Sequence, residues 1–354
     1  MNEIVNIIKQ KKSLPLDEFI NLALYDKKFG YYMKKNPFGE SGDYITSPLV
    51  SNLFTEMIAI WCVSFWEKLG KPNKIIITEL GPGNGSMCEN FLNVAKNFKD
   101  FYNSLELKLL EKSSKLKKIQ KEKIKNKKVK WIRKIEEIGC GPIIFIGNEF
   151  FDAFPIKQFY KKKKLLFERY VGFNENKKKV EFLYKKANKK LVREIKKLGL
   201  LSEGDIIEYP INAIVYLNLI TKKINRHGGG LLIFDYGYTK QKNQDTLQSL
   251  NNHKYVDILS DPGNSDITSH INYELFSKLL TKNNLQVENI ISQNQFLQKL
   301  GIIERANIIS KRANFKTKAD IFYRLRKLLH GNEMGNIFKV LFAKKKGTSF
   351  SLGF

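Results

Sequence analysis

Apolar positions recur along this chain with two different periods. Up to residue 72 the period is helical. Leu16, Phe19, Ile20, Ala23 and Leu24 fall on one helix face, with Pro15 suited to a first turn. A polar, glycine-bearing segment over 36–48 follows. The spacing then predicts a second helix over 49–69, ended by Gly70 and Pro72. From Lys74 short apolar runs alternate with helical stretches. Strands are predicted at Ile75–Leu80, Leu105–Leu110, Val129–Ile132 and 142–146, with helices over 87–98 and 115–125. Residues 159–197 are rich in lysine, hold short strand-like pieces such as 165–171, and read as an insertion. Apolar alternation returns over 214–224. A buried-strand run over 231–234 follows three glycines, and the last strand candidates lie over 285–291 and 337–342. Strands alternating with helices predict an α/β fold with a mostly parallel sheet and helices on both faces.

The ends of these strands carry the candidate chemistry. Thr78-Glu79-Leu80-Gly81-Pro82-Gly83-Asn84-Gly85-Ser86 is an acidic strand end that turns through three glycines into a helix. Glycines let the backbone take positive φ and approach a ligand closely. A dinucleotide site uses G-x-G-x-x-G, but here the third glycine comes one residue early. G-x-G-x-G after an acidic strand end resembles motif I of class I S-adenosylmethionine-dependent methyltransferases. That cofactor has no pyrophosphate, and Glu79 suits its positively charged end. A tight turn without ligand has the same local pattern. The second strand ends in Glu111, 30 residues after Gly81. A carboxylate there accepts from the two ribose hydroxyls of adenosine, or caps the next helix.

The fourth strand runs into Asn148-Glu149-Phe150-Phe151-Asp152-Ala153-Phe154-Pro155. Ligands of open α/β sheets lie beyond the carboxyl ends of the strands, which puts Asn148, Glu149 and Asp152 beside a cofactor. Two carboxylates among aromatics suit a guanidinium, held by charge-assisted bonds. Asp152 alternatively caps a helix. Methyltransferases acting on nucleic-acid amino groups often carry two prolines after the Asn; Glu149-Phe150 stands there instead, which weakens a base as acceptor. The fifth strand ends in Asp235. Two polar loops, Gly42-Asp43-Tyr44-Ile45-Thr46-Ser47-Pro48 and Gly263-Asn264-Ser265-Asp266-Ile267-Thr268-Ser269-His270, precede helical patterns, and Asp266 or Thr268 could serve as caps.

Composition narrows the class. The 354 residues are 42% apolar, 12% aromatic and 27% charged, an ordinary globular balance. No apolar run is long enough to span a bilayer. Cys62, Cys88 and Cys140 form no CxxC pair, and the four histidines lack ligand spacing, so no metal site and no disulfide framework is expected. The first 16 residues match neither a signal nor a transit peptide, which leaves a bacterial cytoplasm as the default. The net charge is +27, yet it comes from 54 lysines against eight arginines. With abundant Asn, Ile and Phe, this resembles drift of an AT-rich genome at solvated positions. Specific phosphate and base recognition favours arginine forks. The run over 112–134 holds twelve basic residues but few aromatics, so it lacks the stacking platforms of single-strand binders.

Taken in order, these segments resemble the MidA family, the family of the mitochondrial complex I assembly-factor arginine methyltransferase. The resemblance runs from residue 15 to about 343 and includes Asp235-Tyr236-Gly237, Phe296-Leu297-Gln298-Lys299-Leu300-Gly301-Ile302 and Met334-Gly335-Asn336-Ile337-Phe338-Lys339-Val340-Leu341. It implies a class I methyltransferase core over 73–158 and 228–345. An N-terminal helical extension over 1–72 would contribute to the active site, and 159–227 would be a lysine-rich insertion before the fifth strand. It implies S-adenosyl-L-methionine bound by Glu79, Gly81, Pro82, Gly83, Gly85, Glu111, Gly42, Thr46 and Asn148. Transfer to a protein arginine would use Glu149, Asp152, Asn148, Asp43 and Asp235. The implied substrate is a core subunit of NADH:quinone oxidoreductase, with no specific nucleic acid as partner. An RNA methyltransferase and a non-catalytic assembly chaperone are the competing expectations. Two positions depart from the family: Asn84 where arginine is usual, and Leu49 where glutamate is usual.

Overall fold

The first strand, Ile75–Leu80, is buried along all six residues, as expected of a strand covered on both faces. It lies in the middle of a sheet that the chain winds outward in both directions. The second strand, Leu105–Leu110, pairs parallel on one side, and the third, Val129–Ile132, pairs parallel beyond it. The fourth, Ile143–Asn148, pairs parallel on the other side of the first, and the fifth, Gly229–Tyr238, parallel beyond that. The strand Phe338–Lys345 runs antiparallel to the fifth, and Leu285–Val287 antiparallel to it in turn. In chain order the sheet therefore reads 3-2-1-4-5-7-6. The winding direction reverses between the first and fourth strands, the kind of point where open α/β sheets bind ligands.

This computed structural model describes residues 2–34, 46–163, 165–202, 206–240, 244–251 and 254–354. Gly42 and Asp43 lie outside the described residues. The described chain forms two compact units. One comprises Met1–Tyr44, Phe151–Tyr216 and Tyr238–Leu275, the other Ile45–Phe150, Leu217–Gly237 and Phe276–Phe354.

The second of these holds the sheet. Its core is aromatic and aliphatic, built on Phe54, Trp61, Phe65, Ile77, Leu109, Phe234 and Phe342 among others. Each such buried side chain contributes roughly 1.5–3 kcal/mol. The helix expected over 49–69 is two helices, Ser47–Val50 and Asn52–Lys68. Ser51 is extended between them and its hydroxyl accepts from the Leu53 N–H at 3.3 Å. Both helices pack on the helix Ser86–Ala95 that follows the glycine turn.

In the other unit, Ser13–Pro15, Leu165–Asn174, Lys157–Lys162 and Ile206–Tyr209 form an antiparallel sheet, with Lys179–Lys186 on Leu165–Asn174. The lysine-rich stretch, in which strand-like pieces were expected, holds the strands Leu165–Asn174 and Lys179–Lys186 and then the helix Lys189–Lys197. Most of its lysines, Lys162, Lys179, Lys185 and Lys186 among them, are exposed, while Phe159, Leu166 and Val171 are buried. Phe19, Ile20, Leu24, Tyr31 and Val171 share this unit's core.

Three other expectations are corrected. The alternation over 214–224 is a helix, Ile211–His227, whose buried Ala213, Leu217, Ile220 and Ile224 are three or four residues apart. Asp266–Thr268 is a strand, and Asn272 accepts from the Leu275 N–H at the next helix start. The run over 285–291 breaks into two short strands, Leu285–Val287 and Ile291–Ser292.

Candidate functional site

Register alone collects three strand ends and the Phe234–Asp235 step of the fifth strand at one edge of the sheet. Leu80 pairs with Leu110 and with Gly147, and Asn148 pairs with Phe234. Gly81, Glu111, Glu149 and Asp235 are each the residue after one of these paired positions. Glu79 sits one position before the edge.

The turn after the first strand needs its glycines. Gly81, Gly83 and Gly85 have φ of 64°, 52° and 82°, the left-handed region that side chains disfavour. Space is also short: a Cβ on Gly81 would come within 2.8 Å of Phe150, and one on Gly85 within 2.9 Å of Ile124. Asn84, the departure from the family pattern, caps the next helix. Its Oδ1 accepts from the Ser86 N–H at 3.0 Å, a donor that the glycine at the N-cap leaves unmet.

Two buried carboxylates flank the turn. Glu79 is 6% exposed and its pKa is pushed up to about 8, first by burial and then by the neighbouring Glu111 carboxylate. Burial likewise raises Glu111. The Ser113 and Lys112 N–H groups and the Gln120 amide oppose that rise. Glu111 is not the helix cap; Ser113 is, and its hydroxyl accepts from the Leu116 N–H. Gln120, which the sequence pattern did not single out, donates to Glu111 Oε2 at 3.1 Å and to the Gly83 carbonyl at 2.8 Å.

Beyond the fourth strand, Glu149 has a φ of 49°. A non-glycine residue there is uncommon and marks a functional constraint more often than chance. The surroundings hold it: its N–H donates to the Phe234 carbonyl at 2.9 Å, and the Asn148 amide donates to its Oε1 at 3.0 Å. Asp235 is fully buried. It accepts from the Phe150 N–H at 3.2 Å and from the Tyr236 N–H at 3.0 Å, so it anchors the backbone next to Glu149. The Asn148 Oδ1 is buried with no hydrogen-bond partner among the described residues. Thr46 precedes the helix Ser47–Val50, and its carbonyl accepts from the Leu49 and Val50 N–H groups.

Asp152 belongs to the other unit. It is 5% exposed and its carbonyl accepts from the Ser269 N–H at 3.0 Å. No helix follows it before the strand Lys157–Lys162, so it is not a helix cap.

The donor set fits the expected cofactor. Carboxylates suit a ribose diol and an ammonium group, the glycine turn admits close backbone approach, and the orphaned Asn148 oxygen lacks a donor that a ligand could supply. Among the described residues no cluster of His, Cys, Asp and Glu could hold a metal ion, and no helix is long and apolar enough to cross a membrane.

Comparison with known proteins gives independent support. The family described as "Putative S-adenosyl-L-methionine-dependent methyltransferase" matches residues 57–291. The chain is 29% identical over 367 residues to the mitochondrial protein arginine methyltransferase NDUFAF7 of Xenopus laevis, covering 96% of this chain and 83% of that one. It is 26% identical over 332 residues to the Homo sapiens NDUFAF7, covering 87% and 74%. A Burkholderia thailandensis structure bound to S-adenosyl-homocysteine matches with a TM-score of 0.84 at 20% identity, covering 99% of this chain and 94% of that one. At that identity the likeness shows the shared fold.

Proposed function

The chain belongs to this family of S-adenosyl-L-methionine-dependent methyltransferases, and from that premise we propose that it methylates arginine in a protein substrate. The observation that carries the reading is Glu149, a carboxylate held at positive φ at the sheet's switch point and bonded by Asn148. The relatives named protein arginine methyltransferase support the acceptor.

S-adenosylmethionine supplies a methyl group already made electrophilic by its sulfonium. The protein's task is then alignment, which alone can lower a barrier by several kcal/mol. In this reading the backbone of Gly81, Pro82, Gly83 and Gly85 lines the methionine part. Glu79 balances its positive end, and Glu111 accepts from the ribose hydroxyls. Asn148 offers its free oxygen to the cofactor. Glu149 holds the guanidinium, which is protonated at any ordinary pH. It orients one nitrogen and is the group to take up the proton released as the new bond forms. Asp235 keeps the Glu149–Phe150 backbone in place. Asp152, Asp43, Gly42 and Thr46 enter on the sequence expectation. The finer assignment, a core subunit of NADH:quinone oxidoreductase, rests on the family resemblance.

The test is Glu149→Gln, assayed with methyl-labelled cofactor on oxidoreductase subunits from cells lacking this protein. Cofactor affinity should stay within about twofold while transfer falls by at least about 100-fold. Equal loss of both would remove Glu149 from the acceptor role. Label on arginine of other proteins alone would overturn the subunit assignment and leave the enzyme class standing.

A further inference from the structure

The helix Ser114–Lys123 presents lysines to solvent and one amide to the interior. Gln120 is fully buried, and its side chain bonds in three directions. Its Nε2 donates to the Gly83 carbonyl at 2.8 Å and to Glu111 Oε2 at 3.1 Å. Its Oε1 accepts from the Trp131 indole N–H at 2.9 Å. The indole therefore fixes which way the amide faces, and both amide hydrogens point at the glycine turn and the carboxylate. The same helix grips the turn elsewhere. Ile124, at its end, and Gln120 fill the space beside Gly85, and Lys123 Nζ donates to Ser86 Oγ at 2.6 Å.

A buried glutamine satisfied by its neighbours is ordinary core. Here, however, both acceptors belong to the expected cofactor cradle, and they follow separate strands. We propose that Gln120 is a positioning residue for cofactor binding, joining the Glu111 carboxylate to the Gly83 carbonyl so that turn and ribose carboxylate are set as one unit. The inference deepens the methyltransferase reading and rests on it. Gln120 itself touches no reacting atom.

The test is calorimetric titration of the full chain with S-adenosylhomocysteine, with thermal unfolding measured alongside. Gln120→Met keeps the volume and removes the bonds. A hydrogen bond to a charged group is worth enough for about tenfold weaker binding. Glu111→Gln weakens binding by itself. Because Gln120 acts through Glu111, the double variant should be no more than about twofold weaker than Glu111→Gln alone. Trp131→Phe leaves the cradle untouched and removes only the donor that orients the amide; it should weaken binding about threefold. It keeps the test open if Gln120→Met does not fold.

Losses that multiply in the double variant would overturn the proposal. So would a lower melting temperature with unchanged affinity in Gln120→Met or Trp131→Phe, the signature of a purely structural amide. In either case wild-type binding shows that the methyltransferase reading survives. No binding by the wild-type chain would overturn that reading and this inference together.

Discussion

Glu79 carries a charge state that the cofactor should change. Its folded pKa of about 8 lies above the ordinary 4.5, so the folded chain holds a proton that the unfolded chain releases. Its contribution therefore falls as pH rises from about 4.5 through 8. A cationic group beside it favours the ionised form and reverses part of that penalty. S-adenosylhomocysteine carries an ammonium, so its affinity should rise between about pH 6 and pH 8, with proton release on binding. Titration in two buffers of different ionisation enthalpy measures the release. Glu79→Gln should abolish it, and a release that persists would point to another group. Much of this residue-scale picture was legible. Strand-end carboxylates and a glycine turn announce themselves because the backbone geometry demands those residue types. Gln120 was not legible, since a polar residue in a lysine-rich helix gives no sign of facing inward. Nor was the role of Asn84, which caps a helix where an arginine was expected.

At the scale of single elements, the second strand shows how a sheet rim tolerates charge. Glu106 meets Lys108 at 2.6 Å, Lys74 at 3.0 Å and Lys130 at 3.6 Å. Partial burial raises its pKa, but the Lys108 and Lys74 contacts outweigh that and hold it at about 2. A depressed carboxylate stabilises the fold above its unfolded value and loses that effect as pH falls from about 4.5 to 2. Glu106→Gln should therefore cost about 1 kcal/mol at neutral pH, the upper end for a partly exposed pair. Chemical denaturation should find the gap closing below about pH 3. A gap that stays constant with pH would mean the loss is packing. Of the strands buried on both faces, Ile75–Leu80 and Leu105–Leu110 were read to the residue, while 142–146 and 231–234 found only parts of Ile143–Asn148 and Gly229–Tyr238. Ile211–His227 was missed because its β-branched residues mimic strand composition, and only burial separates the two periods. Of the paired lysine-rich strands, the one over 165–171 was legible, while Lys179–Lys186 was not, because lysine on an outward face looks like solvated loop.

For the whole molecule, strands alternating with helices pointed to the α/β class, while the order 3-2-1-4-5-7-6 left no mark in that pattern. The grouping of distant segments into units did not follow, because contacts between residues far apart in sequence leave no local mark. The net charge of +27 acts at this scale as well. A labelled RNA oligomer should bind at about 50 mM salt and lose its affinity by two or more orders of magnitude near 200 mM. The methyl label should enter protein and leave the RNA unmarked; labelled RNA would restore the nucleic-acid reading. One last consequence belongs to the sheet. The glycine turn and Glu149 hang from neighbouring strands, so their separation is gauged by the ladder repeat of about 4.8 Å. Peptide groups set that gauge, and every sequence has the same peptide groups. A lineage whose genome drifts toward lysine and asparagine can rewrite its exterior almost freely while the spacing between the glycine turn and Glu149 stays as inherited.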